Sequence, residues 1–422
     1  MEATSPQQLV DHLFRHEAGR MIAVLTRIFG MHNLELAEDV MQEAFLKAVQ
    51  TWKFENVPDN PAAWLMQVAR NKAIDIIRRQ QNFNQYSTEV ARQLQHETEN
   101  TVQQFFAENE IADSQLQMIF ACCHPSLKQE DQVALTLKTI SGFSTVEIAH
   151  ALVTNEATVQ KRLYRAKQFI KENKIQLEIP AGSQLKPRLD MVFTILYLLF
   201  NEGYNSQKTD ELIRKDLCIE AMRLCLLLAE HTATRQPAGY GLLSLMCFQS
   251  SRFSSRLDEN NTIILLQQQD RTKWDKALID LGYYYLNKSS QGELVTVYHI
   301  ESAIAAEHCM AANFEATNWK HILYLYDMLL LQKETAVVLL NRAVVLAQLN
   351  RLHEAITAVL QIKDIQKLLP SQYIYSAVLG DLYLQLNDID NAEKYLTIAY
   401  KLTTSQAEKK LIADKLAKVY SS

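Results

Sequence analysis

The chain has 422 residues, of which only 10 are Gly and 8 are Pro, too few turn formers for a many-stranded sandwich or barrel. A hydrophobic share of 48% and a charged share of 22% exclude global disorder and allow more than one core. The formal net charge of −5 announces neither a nucleic-acid binder nor a basic membrane-surface protein, so such a function must reside in local charge.

Apolar residues recur at helical spacing almost throughout, which predicts an all-α fold. The expected organisation is a first helical unit over 8–83, an acidic linker over 84–113, and a second small helical unit over 114–179. A larger helical region over 184–422 follows the turn-forming Pro180-Ala181-Gly182-Ser183. The start of the chain lacks the basic and apolar segments of a signal peptide, and the longest apolar run, Met191 to Phe200, is too short to cross a bilayer. Six cysteines without a regular framework read as reduced thiols. These features predict a cytoplasmic protein.

In the first unit, Val40, Met41, Ala44, Phe45, Ala48 and Trp52 form one apolar stripe, and Asp39, Gln42 and Glu43 share the opposite side at i, i+3 and i+4. That side reads as a water-facing surface or as an acidic contact face. Asn60 and Pro61 then suit the start of a helix. Trp64, Leu65, Val68 and Ile76 are its expected core residues, while Arg70, Lys72, Arg78 and Arg79 against Asp75 give it a local charge of +3. A basic helix behind a loop bearing Trp52, Phe54 and Glu55 to Asp59 supplies what single-stranded nucleic acid needs: cations for phosphate and a face for an unstacked base. Pairing of Asp75 with Arg78 or Arg79 accounts equally well for part of this charge. The segment 84–113 carries Glu89, Glu97, Glu99, Glu108, Glu110 and Asp113 against Arg92, a linker composition.

In the second unit, Ser144-Thr145-Val146-Glu147 is a capping box that starts a short helix. A polar turn at Val153-Thr154-Asn155 leads into a second helix, and Ile148, Ala149 and Leu152 can face Val159, Leu163 and Ala166 across it: a helix-turn-helix. Lys161, Arg162, Arg165, Lys167, Lys171 and Lys174 against Glu172 sum to +5 along this second helix. Thr158, Gln160 and Lys161 are placed for base edges, and Arg162, Arg165 and Lys167 for phosphates.

In the C-terminal region, an offset of 37 superposes Gln348-Leu349-Asn350 on Gln385-Leu386-Asn387 and Ala355 on Ala392, which predicts helical-hairpin repeats near 337–402. Gly380, Tyr383, Ala392, Leu396 and Ala399 are similar to the tetratricopeptide pattern, and Glu301 to Leu331 is a candidate for a more divergent hairpin. Cys122-Cys123-His124 invites a metal or nucleophile reading, but adjacent cysteines do not easily aim at one ion and no second ligand pair has suitable spacing, so a buried structural role is expected. Asn201-Glu202-Gly203-Tyr204 and Gln269-Asp270-Arg271 read as helix-end and packing motifs. No catalytic residue, metal or cofactor is expected.

Taken in order, AEDVMQEAF, PAAWLMQVARNKAIDIIRR, the acidic linker and a helix-turn-helix ending TVQKRLYRAKQFI resemble an extracytoplasmic-function (ECF) sigma factor of bacterial RNA polymerase, over about Val10 to Lys174. The resemblance implies a non-enzymatic protein whose partners are core RNA polymerase and promoter DNA. Asp39, Gln42 and Glu43 would meet the clamp helices of the polymerase largest subunit. The stretch Trp52, Phe54, Glu55, Asn56 and Asp59, with Trp64, Arg70, Asn71, Lys72, Arg78 and Arg79, would capture the melted strand of the −10 element. Ala157, Gln160, Lys161 and Tyr164 would read the −35 duplex; many family members carry a basic residue at the position of Gln160, where this chain has Gln. The blocks LQMIFACCHPSL, RLDMVFTILYLLFNEGY, LLQQQDRTKWD, YHIESAIAAEH and LNRAVVLAQL look like the subgroup with a fused tetratricopeptide-like C-terminal domain, which implies that this domain controls or enables activity, as a brake relieved by a protein or small molecule or as an activator that helps seat the sigma regions on polymerase. The helix-turn-helix also fits a DNA-binding regulator that never serves as a sigma subunit.

Overall fold

The computed structural model describes residues 6–52, 57–82, 100–152, 154–204, 213–259 and 263–421. Among them no strand forms; one isolated antiparallel bridge joins Leu257 and Ile263, and the all-α expectation holds. The chain divides into two compact units, one of residues 1–199 with 231–234 and one of 200–230 with 235–422.

The first unit opens with α1 (Pro6–Phe29), α2 (Leu34–Thr51) and α3 (Pro61–Asn82). The predicted stripe of α2 is buried throughout, from Val40 and Met41 to Ala48, and Phe45 meets Phe14 of α1 with ring centroids 5.0 Å apart. Asn60 caps α3 as expected, its Oδ1 accepting from the Ala63 amide at 3.0 Å. The buried line of α3 is Leu65, Ala69 and Ala73, whereas Val68 and Ile76 are only half-buried. Small residues there let α3 lie close to its neighbours.

Helices α4 (Glu108–Cys122), α5 (Gln129–Thr139), α6 (Thr145–Ala151) and α7 (Glu156–Glu172) follow. The expected linker is shorter than its composition implies. Residues 100–105 are helical and α4 begins at Glu108, because Ile111, Leu116 and Ile119 bury one side of it. Its acids are partnered within the unit: Glu108 with Arg20 at 2.5 Å, Glu110 with Arg27 at 2.8 Å, and Asp113 with His231 at 3.1 Å. Glu89, Arg92, Glu97 and Glu99 lie outside the described residues. Helix α1 also abuts the end of α5, where a Cβ on Gly19 would sit 1.7 Å from the Ile140 carbonyl oxygen, so only glycine allows this approach. The start of α8 (Leu185–Tyr204) belongs to this unit too, with the Arg188 guanidinium donating to the Phe120 carbonyl. The C-terminal region therefore separates from the first unit later than the expected 184.

The second unit contains α9 (Lys215–Glu230), α10 (Pro237–Ser250), α11 (Lys276–Ser289), α12 (Val297–Met310), α13 (Trp319–Gln332), α14 (Ala336–Gln348) and α15 (Leu352–Leu360). It ends with the short α16 (Ile365–Leu368), then α17 (Tyr373–Gln385), α18 (Ile389–Leu402) and α19 (Gln406–Ser421). The 37-residue offset is visible in the backbone. Helices α14 and α17 start 37 residues apart, as do α15 and α18, and Asn350 and Asn387 close the two first helices at φ 61° and 60°. At each turn the amide following the Asn donates back into the helix at 3.0 Å, Arg351 to Leu346 and Asp388 to Tyr383, a Schellman-type stop. Ala355 and Ala392 are buried at equivalent places, and a Cβ on Gly380 would lie 2.7 Å from Leu396 Cγ, so the small residues mark close helix approach. Helices α12 and α13 form the divergent hairpin, joined by a longer turn without the left-handed Asn.

Candidate nucleic-acid interface

The acidic face is where the spacing places it. Asp39, Gln42 and Glu43 are all exposed on α2. Leu46, 59% exposed on the same side, was missed in the sequence, although its spacing of three from Glu43 and four from Gln42 places it there. Glu43 is paired with Lys72 of α3 at 2.5 Å, which links the acidic face to the basic helix.

On α3, Ala63, Gln67, Asn71, Asp75 and Arg79 form an exposed ridge at four-residue spacing, flanked by half-buried Trp64, Arg70, Lys72 and Arg78. The ridge is internally ordered: Arg70 donates to Gln67 Oε1 at 2.6 Å, and Gln67 donates to Asn71 Oδ1 at 2.8 Å. Asp75 and Arg78 are 4.0 Å apart, a weak contact between two half-exposed groups. Trp52 corrects the expectation of a stacking face. It is 3% exposed, packed against Trp64 with ring centroids 5.4 Å apart, because it ends the apolar stripe of α2 and caps the α2–α3 core. Asp59 is exposed; Phe54, Glu55 and Asn56 lie outside the described residues.

The helix-turn-helix forms as read. Glu147 N–H donates to Ser144 Oγ at 3.2 Å and Glu147 Oε2 accepts from the Ser144 amide at 2.8 Å, completing the capping box. Ile148 and Ala149 of α6 and Val159, Leu163 and Ala166 of α7 are buried across the turn. Asn155 caps α7: its Oδ1 accepts from the Thr158 amide at 2.8 Å and hydroxyl at 2.9 Å, so Thr158 serves the cap and its hydroxyl is not turned toward a base.

Ala157, Gln160, Lys161, Tyr164 and Arg165 are exposed on one side of α7, with Tyr164 at 70%. The flanking cations each have an acidic partner that sequence reading did not supply. Arg162 is 3.8 Å from Glu130, Arg165 is 2.7 Å from the buried Asp131, and Lys167 is 2.6 Å from Glu38 of α2. Glu38 itself is buried, and its Oε1 finds no partner among the described residues. The first two contacts are built within the helix-turn-helix unit; the third ties its second helix to the helix bearing the acidic face.

The decoys resolve as packing. Cys122 and Cys123 are buried, with Sγ atoms 3.2 and 3.7 Å from the Thr139 and Thr136 hydroxyls, and burial raises both thiols, that of Cys123 to about 12. A thiol so raised is a poor nucleophile and ligand. Among the described residues no group of His, Cys, Asp and Glu is arranged to hold a metal ion, and no helix is long and apolar enough to cross a membrane. Arg271 donates to the carbonyls of His308 and Ala311 that end α12, which makes the Gln269-Asp270-Arg271 stretch a packing motif. The second unit also holds a half-open groove of about 520 Å³, lined by Tyr326, Asn341, Val344, Tyr373, Leu382 and Leu411 among others.

Comparison with known proteins assigns family matches to both units of the chain. Residues 13–83 match sigma-70 region 2, residues 117–170 match sigma-70 region 4, and residues 188–290 match a family of unknown function (DUF6596). The chain is 27% identical over 159 residues to the ECF RNA polymerase sigma-E factor of Haemophilus influenzae, covering 37% of this chain and 82% of that protein. It is 29% identical over 163 residues to the ECF RNA polymerase sigma factor SigM of Bacillus subtilis, covering 38% and 91%. A region 2 helix set followed by a region 4 helix-turn-helix supports a sigma factor of the ECF type, a family whose partners are core RNA polymerase and promoter DNA. Over nearly its full length the chain belongs to the same family as the uncharacterized protein R00370 of Rhizobium meliloti (strain 1021), being 33% identical over 387 residues that cover 92% of this chain and 90% of that protein. No solved structure matches significantly.

Proposed function

We propose that this chain binds core RNA polymerase through Asp39, Gln42, Glu43 and Leu46, captures the melted −10 strand along α3 and its preceding loop, and reads the −35 duplex with α7. The observation that carries this reading is the exposed set Ala157, Gln160, Lys161 and Tyr164 on a capped, basic second helix, in one unit with an exposed acidic face on α2. No covalent chemistry is needed. Stacking or pocketing an unstacked base is worth roughly 1 to 3 kcal/mol, comparable to the few kcal/mol that unstacking costs, so capture can tip strand opening. The protein acts in the cytoplasm, where polymerase is.

The second unit regulates this activity as a tetratricopeptide-like domain that receives a protein or small molecule; its repeated hairpins and its groove support the reading. The test is run-off transcription on linear promoter fragments by core polymerase with the full chain. Initiation that depends on Asp39 and Glu43 is expected. Duplex binding without initiation would favour a regulator that is not a sigma subunit. Chains ended after Leu177 and after Leu199 address control: higher initiation by both identifies a brake, and loss by both with an intact first unit identifies a required domain.

A further inference from the structure

At the exposed start of α7, Glu156 and Gln160 occupy one face at i and i+4. Glu156 Oε1 accepts from Gln160 Nε2 at 3.2 Å and from the Thr145 hydroxyl at 2.7 Å, so a residue of the first helix holds the carboxylate that in turn holds the glutamine. An ionised carboxylate can only accept, whereas a glutamine amide has a donor end and an acceptor end. The amide nitrogen must therefore face Glu156. Gln160 then keeps its carbonyl oxygen and one N–H uncommitted to Glu156, available to a base edge.

That orientation has a consequence in the major groove. Adenine offers an N6 donor next to an N7 acceptor, the pattern that an uncommitted carbonyl and an N–H satisfy together. Guanine offers two acceptors, O6 and N7, and would set oxygen against the Gln160 carbonyl and the Glu156 carboxylate. We propose that Glu156 is a specificity-determining, positioning residue that locks Gln160 to read adenine, and to reject guanine, at one position of the −35 element. This rests on the reading of α7 as the −35 helix. Arginine in place of Gln160 would select the opposite base, since it is a two-fold donor suited to guanine.

The test uses the full chain with core RNA polymerase on a promoter library randomised across the −35 element, with transcripts sequenced. Gln160→Ala identifies the base pair under its control. At that position the wild type is expected to favour adenine over guanine by about tenfold, the factor that about 1.4 kcal/mol of base discrimination gives. In Glu156→Gln, where the new amide can also donate and lets Gln160 turn over, the ratio is expected to fall to about threefold or less at that position only. Glu156→Ala should do the same, and its thermal unfolding reports whether the helix cap survives. An unchanged ratio in both Glu156 variants, a wild-type preference for guanine, or no position sensitive to Gln160→Ala overturns the proposal. Absence of any initiation by the wild type on the library would instead overturn the sigma reading on which it stands.

Discussion

Trp52 has its indole buried against Trp64 while its Nε1 finds no hydrogen-bond partner among the described residues. The ring thus contributes packing, and its donor contributes a cost. Trp52→Ala should destabilise the α2–α3 core by about 3 to 5 kcal/mol, and Trp52→Phe by about 1.5 kcal/mol or less. Hydrogen exchange of the α2 and α3 amides in the full chain measures both. A second residue reports on the other unit. Burial, together with Arg252 and Arg271, lowers His308 from its ordinary value to about 4, so the folded ring stays neutral where the unfolded one takes up a proton. Its contribution is complete above pH about 6.5 and is lost as pH falls toward 4, at most about 3 kcal/mol. Urea unfolding of the second unit at pH 7 and pH 5 should show a smaller pH-dependent loss in His308→Gln than in the wild type.

At the scale of elements, the turns carry as much information as the helices. Asn350 and Asn387 both adopt left-handed conformations that non-glycine residues other than Asn and Asp avoid, which is why the same tripeptide end recurs 37 residues apart. Asn387→Ala should cost about 1 kcal/mol and Asn387→Gly little or nothing, as read from thermal unfolding of the full chain. The capping box at Ser144 and the Asn60 cap were equally legible, since each is decided by three or four consecutive residues, whereas Asn155 was read only as part of a turn. The linker was not. Its composition is polar and acidic, but Glu108, Glu110 and Asp113 are held by Arg20, Arg27 and His231, and no window of sequence joins those residues.

For the molecule as a whole, the charge that matters is partly internal. Lys167, expected on DNA phosphate, is instead paired with Glu38 of α2, so this cation is engaged within the unit. Glu38→Lys should destabilise the first unit by about 2 kcal/mol, the worth of a charge-assisted hydrogen bond, and Glu38→Lys with Lys167→Glu should recover most of it. A thermal-unfolding double-mutant cycle on the full chain gives the coupling, and a coupling near zero would mean that the pair holds nothing together.

The amino-acid sequence by itself determined the helical class, the helix-turn-helix with its caps, the exposed acidic face on α2 and the 37-residue repeat. Periodicity, capping and turn conformation are short-range properties of neighbouring residues. Only the tertiary structure decided that Trp52 is core, that Thr158 serves the cap, that Arg165 and Lys167 meet acids 34 and 129 residues away, and that α1 passes close enough to Ile140 to require Gly19. Those outcomes depend on which distant surfaces the chain brings into contact, and burial and pairing across such contacts are set by packing of the whole unit.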